Sequence, residues 1–114
     1  MSMDYWGIVM RGIKDADLNW KDNKEGLWML TEELDTREVT VNLPNGKKVP
    51  LGIELTEDND FIGFYSCYPW DEYSKGLEEK DVDDALVQFL LPYVNNTEKE
   101  IRYKISYINT YNCC

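Results

Sequence analysis

Residues 60–70, Asp-Phe-Ile-Gly-Phe-Tyr-Ser-Cys-Tyr-Pro-Trp, restrict the possible folds more than any other stretch. In an extended chain Phe61, Gly63, Tyr65 and Cys67 point to one side, and Ile62, Phe64, Ser66 and Tyr68 to the other. Neither side is polar. A strand that is apolar on both faces belongs in the middle of a sheet, covered above and below. Pro69-Trp70 then breaks the run. The ribbon therefore ends in a loop rich in aromatic and acidic residues: Tyr68, Trp70, Asp71, Glu72 and Tyr73.

A hairpin precedes this ribbon. Val39, Val41 and Leu43 alternate with polar residues, Asn45-Gly46 offers the positive φ angles of a tight turn, and Val49, Leu51, Ile53 and Leu55 resume the alternation. Pro44 and Pro50 cannot donate to a ladder, which puts the hairpin at the sheet's edge. Tyr5 to Ile13 reads as another strand, with Trp6, Ile8 and Met10 on one side and Tyr5, Val9 and Ile13 on the other.

Two segments have helical periodicity. Leu27, Leu30 and Leu34 suggest a short helix ending near Asp35. Val82, Ala85, Leu86, Phe89, Leu90 and Tyr93 mark one face of a longer helix, with Asp81 as its expected N-cap and Pro92 disturbing its last turn. Residues 98–110 allow two readings. Ile101, Tyr103, Ile105 and Tyr107 alternate like a strand, whereas Thr97-Glu98-Lys99-Glu100 is a capping box and Ile101, Ile105 and Ile108 form a helical stripe. The cap and the stripe tip the balance toward helix. The expected fold is one α+β domain over residues 1–114: an antiparallel sheet of about four strands with two or three helices packed on one face.

Charge narrows the function classes. The 22 acids and 12 bases give −10, and residues 54–84 carry eleven of the acids against Lys75 and Lys80. Such a field repels nucleic acid and anionic membrane and attracts basic proteins. At 43% hydrophobic and 13% aromatic the chain is apolar enough to fold despite that charge. It has no run of about 20 apolar residues and no basic leader, so a cytoplasmic protein is expected. Cys67, Cys113 and Cys114 are an odd count of thiols, which fits a reducing compartment.

The chain has no histidine, and with it go the usual general base and the commonest metal ligand. Its glycines are scattered rather than gathered into a phosphate loop. Asp15, Asp17 and Asn19 match the first three ligand positions of a calcium loop. Trp20 stands where that loop needs glycine, however, and Gly26 where it needs glutamate. They are a weak metal candidate; no metal and no cofactor is expected. Asp81, Asp83 and Asp84 could present a carboxylate row like that of a nucleic-acid mimic, but acids in a first helical turn ordinarily complement the dipole.

Phe61-Ile62-Gly63-Phe64-Tyr65 leading to Pro69-Trp70, together with residues 105–112, resembles small uncharacterised proteins carried by phages and conjugative elements of low-GC Gram-positive bacteria. The resemblance covers about a third of the chain, rests on no catalytic motif, carries over no functional residue, and implies a bacterial cytosolic accessory role. The expected function is that of a non-enzymatic acidic interaction protein, its partner a basic protein met by Tyr68, Trp70, Asp71, Glu72 and Tyr73. The alternatives are a small carboxylate-based enzyme or calcium-binding protein, a nucleic-acid mimic, and a homo-oligomeric structural protein.

Overall fold

The computed structural model describes residues 8–22, 24–57, 59–67 and 76–109. Five strands, β1 (Ile8–Lys14), β2 (Glu38–Asn42), β3 (Lys48–Leu55), β4 (Asp60–Cys67) and β5 (Ser106–Asn109), form one sheet in the order β2-β3-β4-β1-β5. Every neighbouring pair is antiparallel. Helices α1 (Leu27–Leu34), α2 (Glu79–Leu90) and α3 (Glu98–Lys104) complete an α+β fold. The aromatic ribbon, β4, is the middle strand. Ile62 and Phe64 on one side are buried, and so are Phe61 and Gly63 on the other.

A single apolar core joins the helices to one face of the sheet. Val41, Val49, Leu51, Ile53, Ile62, Phe64 and Ile13 meet Leu27 and Leu30 of α1, Val82, Ala85, Leu86 and Leu90 of α2, and Ile101 of α3. The spacing of these helical residues is the one that the apolar stripes of α1 and α2 set out. Met10 is also fully buried, but it lies on the opposite face, one residue out of phase with Ile13.

β3 changes partner along its length. Residues 48–52 pair with β2, and residues 52–55 pair with β4. Pro50 supplies the reason. The Ile53 N–H donates to the Arg37 carbonyl at 2.8 Å, so odd-numbered positions of β3 face β2 and Pro50 faces β4. A residue without an N–H cannot extend that second ladder, and the pairing with β4 stops at Gly52. The hairpin is at the sheet's edge as expected, with the two strands splayed beyond it.

At Gly52 a row of partners crosses all five strands: Glu38, Gly52, Gly63, Gly12 and Ser106. Its centre is unusually tight. A Cβ built on Gly12 would overlap the Ile62 carbonyl oxygen and lie 2.9 Å from the Gly63 Cα. A Cβ on Gly63 would overlap the Arg11 carbonyl oxygen and lie 2.7 Å from the Gly12 Cα. β1 and β4 approach this closely because neither residue has a side chain.

Three expectations need correction. The hairpin turn has three residues rather than two: Gly46 donates to the Leu43 carbonyl at 2.9 Å, and only Gly46 has a positive φ. Pro44, whose ring fixes φ near −65°, suits the second position of such a turn. Helix α2 begins at Glu79 with Glu78 as its N-cap, and Asp81 is its third residue. The C-terminal segment holds both competing elements. Thr97 and Glu100 form the capping box of α3, the chain turns extended at Ile105, and Ser106–Asn109 becomes the fifth strand beside β1.

Candidate functional site: an acidic surface and a forked sheet

The loop residues Tyr68, Trp70, Asp71, Glu72 and Tyr73 lie outside the described residues. The acids of α2 are described: Asp81 and Asp83 face inward, while Glu79 and Asp84 are about half exposed but paired. Asp83 takes both bonds of the Arg11 guanidinium at 2.9 Å each, Asp84 binds Arg102 at 2.8 Å, and Glu79 lies 3.6 Å from Arg11. The Arg11 guanidinium also sits 4.8 Å from the centre of the Tyr107 ring, while the Tyr107 hydroxyl donates to Glu79 at 2.5 Å. Burial works against the charge on Arg11, but Asp83, Glu79 and Tyr107 together outweigh it and raise the pKa. This clasp ties β1 and β5 to α2. Asp81, Asp83 and Asp84 thus make no open row of carboxylates: the first two are largely covered, and the half-exposed Asp84 is paired with Arg102.

Asp81 is 1% exposed. Its carboxylate accepts from the Glu78 N–H at 2.8 Å, from Lys47 Nζ at 2.9 Å and from Asn45 Nδ2 at 3.2 Å. The Glu78 N–H first, and Lys47 after it, hold the carboxyl below its ordinary range. Two of these donors, Asn45 and Lys47, lock the β2–β3 turn onto the start of α2, and the third closes the helix's own capping box.

The calcium-loop candidates also have structural work. Asp15 Oδ1 accepts from the Trp20 indole N–H at 2.9 Å and from the Leu27 N–H at 3.1 Å. Gly26, at the N-cap of α1, has no side chain to offer, so Asp15 caps that helix from twelve residues away. Burial raises its carboxyl pKa. Asp17 lies 3.8 Å from Lys104, and the Asn19 N–H donates to Asn96 at 2.7 Å. No group of three potential metal ligands stands together among the described residues.

These roles give a test. A carboxyl whose folded pKa is raised works against folding as pH rises past its ordinary value of 3.8. Asn in its place accepts both bonds through Oδ1 without the buried charge. Asp15→Asn is therefore expected to match or exceed the wild-type melting temperature at pH 7, while Asp15→Ala loses about 1–2 kcal/mol as an absent cap does. Millimolar calcium should leave all three melting curves in place. A calcium-dependent rise in the wild type alone would restore the metal reading.

Two described features of the surface remain. Helix α1 carries its charge against its own dipole. Glu32 and Glu33 lie in its last turn and Asp35 caps it, with no base in the last turn and no acid in the first. Acids at a helix C-terminus cost stability rather than adding it. Trp28, on the outer side of this helix, is 42% exposed, and Glu32 follows it at i+4. Sequence reasoning took the leucines of α1 for the core and passed over Trp28, although its position off the leucine stripe was the available signal.

The second feature is the gap left where β3 parts from β4. A cleft of about 420 Å³ opens there, lined by Val39, Pro50, Leu51, Gly52 and Phe64, with Thr36, Glu38 and Thr40 as polar members. Thr36 follows directly on the cap of α1, so the cleft begins where the acidic end of that helix stops.

The described residues contain no helix long and apolar enough to cross a membrane. No protein-family model, curated protein or solved structure matches the chain.

Proposed function

We propose that the chain is a non-enzymatic, acidic interaction protein that binds a basic protein partner, working in the cytoplasm as an accessory of a phage or conjugative element. The observation that carries this reading is the disposition of charge. Arg11, Lys24, Lys47, Arg102 and Lys104 are engaged in intramolecular ion pairs, while Lys14, Lys21, Arg37, Lys48, Lys80 and Lys99 form none among the described residues. Glu25, Glu32, Asp35, Glu38 and Glu57 have no such partner among the described residues, and the chain carries −10 in all. Some of this surplus sits at the C-terminal end of α1, where it opposes the helix dipole and lies beside an exposed tryptophan. Local electrostatics does not favour that placement, and a binding surface gives a reason for it. The aromatic, acidic loop after β4 belongs to the same reading.

Capture on the immobilised protein tests it. A basic protein should be retained at low salt and released at high salt, because exposed charges are screened. The double variant Glu32→Lys/Asp35→Lys should retain less of it. The same variant should melt higher than the wild type, each reversal contributing about 0.3–1 kcal/mol through the dipole. Partners that are acidic, or whose retention ignores salt, would defeat the reading.

A further inference from the structure

We infer that the cleft at the β3–β4 fork is a receptor for a single arginine or lysine side chain of the basic partner. The inference rests on the reading above and assigns it a site. The cleft exists because Pro50 ends the ladder to β4 at Gly52, which leaves a hollow backed by Leu51 and Phe64. At about 420 Å³ it falls within the size range of small-ligand pockets.

Its lining suits a long side chain with a charged head. Val39, Pro50, Leu51 and Phe64 provide apolar surface for a methylene stem, and the Glu38 carboxylate, with no side-chain partner among the described residues, meets the cation. Thr40 adds a hydroxyl oxygen that can accept a further N–H bond, while the Thr36 hydroxyl, bonded to the Glu38 backbone, holds Glu38 in place. The end of α1, with its dipole and the carboxylates of Glu32 and Asp35, adds negative potential at the Thr36 side, which the exposed Arg37 next in the chain offsets in part. An anion finds no basic side chain in this lining. An uncharged apolar group would leave Glu38 unanswered.

The test is an amide NMR titration of the full chain with acetyl-arginine amide, acetyl-lysine amide and acetyl-norleucine amide as probes. The two cationic probes should shift the Thr36, Glu38, Thr40 and Gly52 amides in a saturating manner, and the norleucine probe should not. Their relative affinities decide between arginine and lysine. Glu38→Gln, an exposed change that leaves the fold intact, should weaken the cationic probes about tenfold, the usual loss for a charge-assisted bond. Thr40→Val should weaken them less. Shifts confined to the surface around Trp28, equal binding of the norleucine probe, no saturable shift, or a Glu38→Gln protein that binds as well as wild type would each overturn the assignment. The two readings fail separately. A basic partner captured equally by Glu38→Gln removes the cleft and leaves the interaction protein standing, whereas capture lost in the wild type removes both.

Discussion

Alanine in place of Gly63, or of Gly12, is expected to cost about 3–5 kcal/mol, a large part of the 5–15 kcal/mol that a domain of this size has to spend. The added methyl group meets backbone rather than a movable side chain: the Arg11 carbonyl oxygen for Gly63, the Ile62 carbonyl oxygen for Gly12. Relief requires β1 and β4 to move apart, and that would strain the pairing of both central strands. Gly46→Ala is the control. Its φ of 91° is unfavourable for alanine, but nothing lies within 4 Å, so only the backbone term of about 1 kcal/mol applies. Urea unfolding of the three variants reads the difference. Because Gly12 and Gly63 face one another, the double variant should cost less than the two singles combined. Equal, small losses at all three positions would show that β1 and β4 are not so close.

Asp81→Ala should cost about 2–3 kcal/mol. Three donors converge on this carboxylate, and the substitution leaves the partly buried Glu78 N–H at the helix start without its acceptor. Lys47, more than a third exposed, can return to water, which keeps the loss below that of a fully buried pair. The sign of the pH dependence follows from the lowered pKa. Such a carboxyl adds stability above its ordinary value of 3.8, and that contribution disappears as pH falls through the lower folded value. The gap between wild type and Asp81→Ala should therefore be widest near neutrality and narrow in strong acid. A gap that is constant from pH 7 to pH 2 would mean that charge at Asp81 is not what holds the turn against α2.

What could be read from the sequence was what periodicity records. The two-sided apolarity of residues 61–64 placed β4 at the centre, alternation around Asn45-Gly46 gave the hairpin, and the stripes of α1 and α2 named their core residues. What escaped depends on partners far away in the chain. Asp83 reads as an ordinary first-turn acid until Arg11, 72 residues earlier, is seen against it. Asp15 looks like a ligand until Leu27 and Trp20 bind it. At the C-terminus the two signals were both real but consecutive, the cap governing residues 98–104 and the alternation governing the strand that follows. The cleft left one trace, Pro50. That residue announced a missing donor without saying which neighbour would lack it, because strand order is set by packing rather than by any local motif.

The order β4-β1-β5 also bears on how the protein is made. One flank of the first described strand is completed only when Asn109 comes to lie beside Val9, after all the other described strands and helices have been synthesised. Until then nascent β1 exposes an unpaired edge, and the Arg11 guanidinium waits for Asp83 as well. Contacts this distant in sequence slow folding. The sheet should therefore close only once β5 has been made, and chains that stop short of β5 should be the ones that aggregate or are degraded.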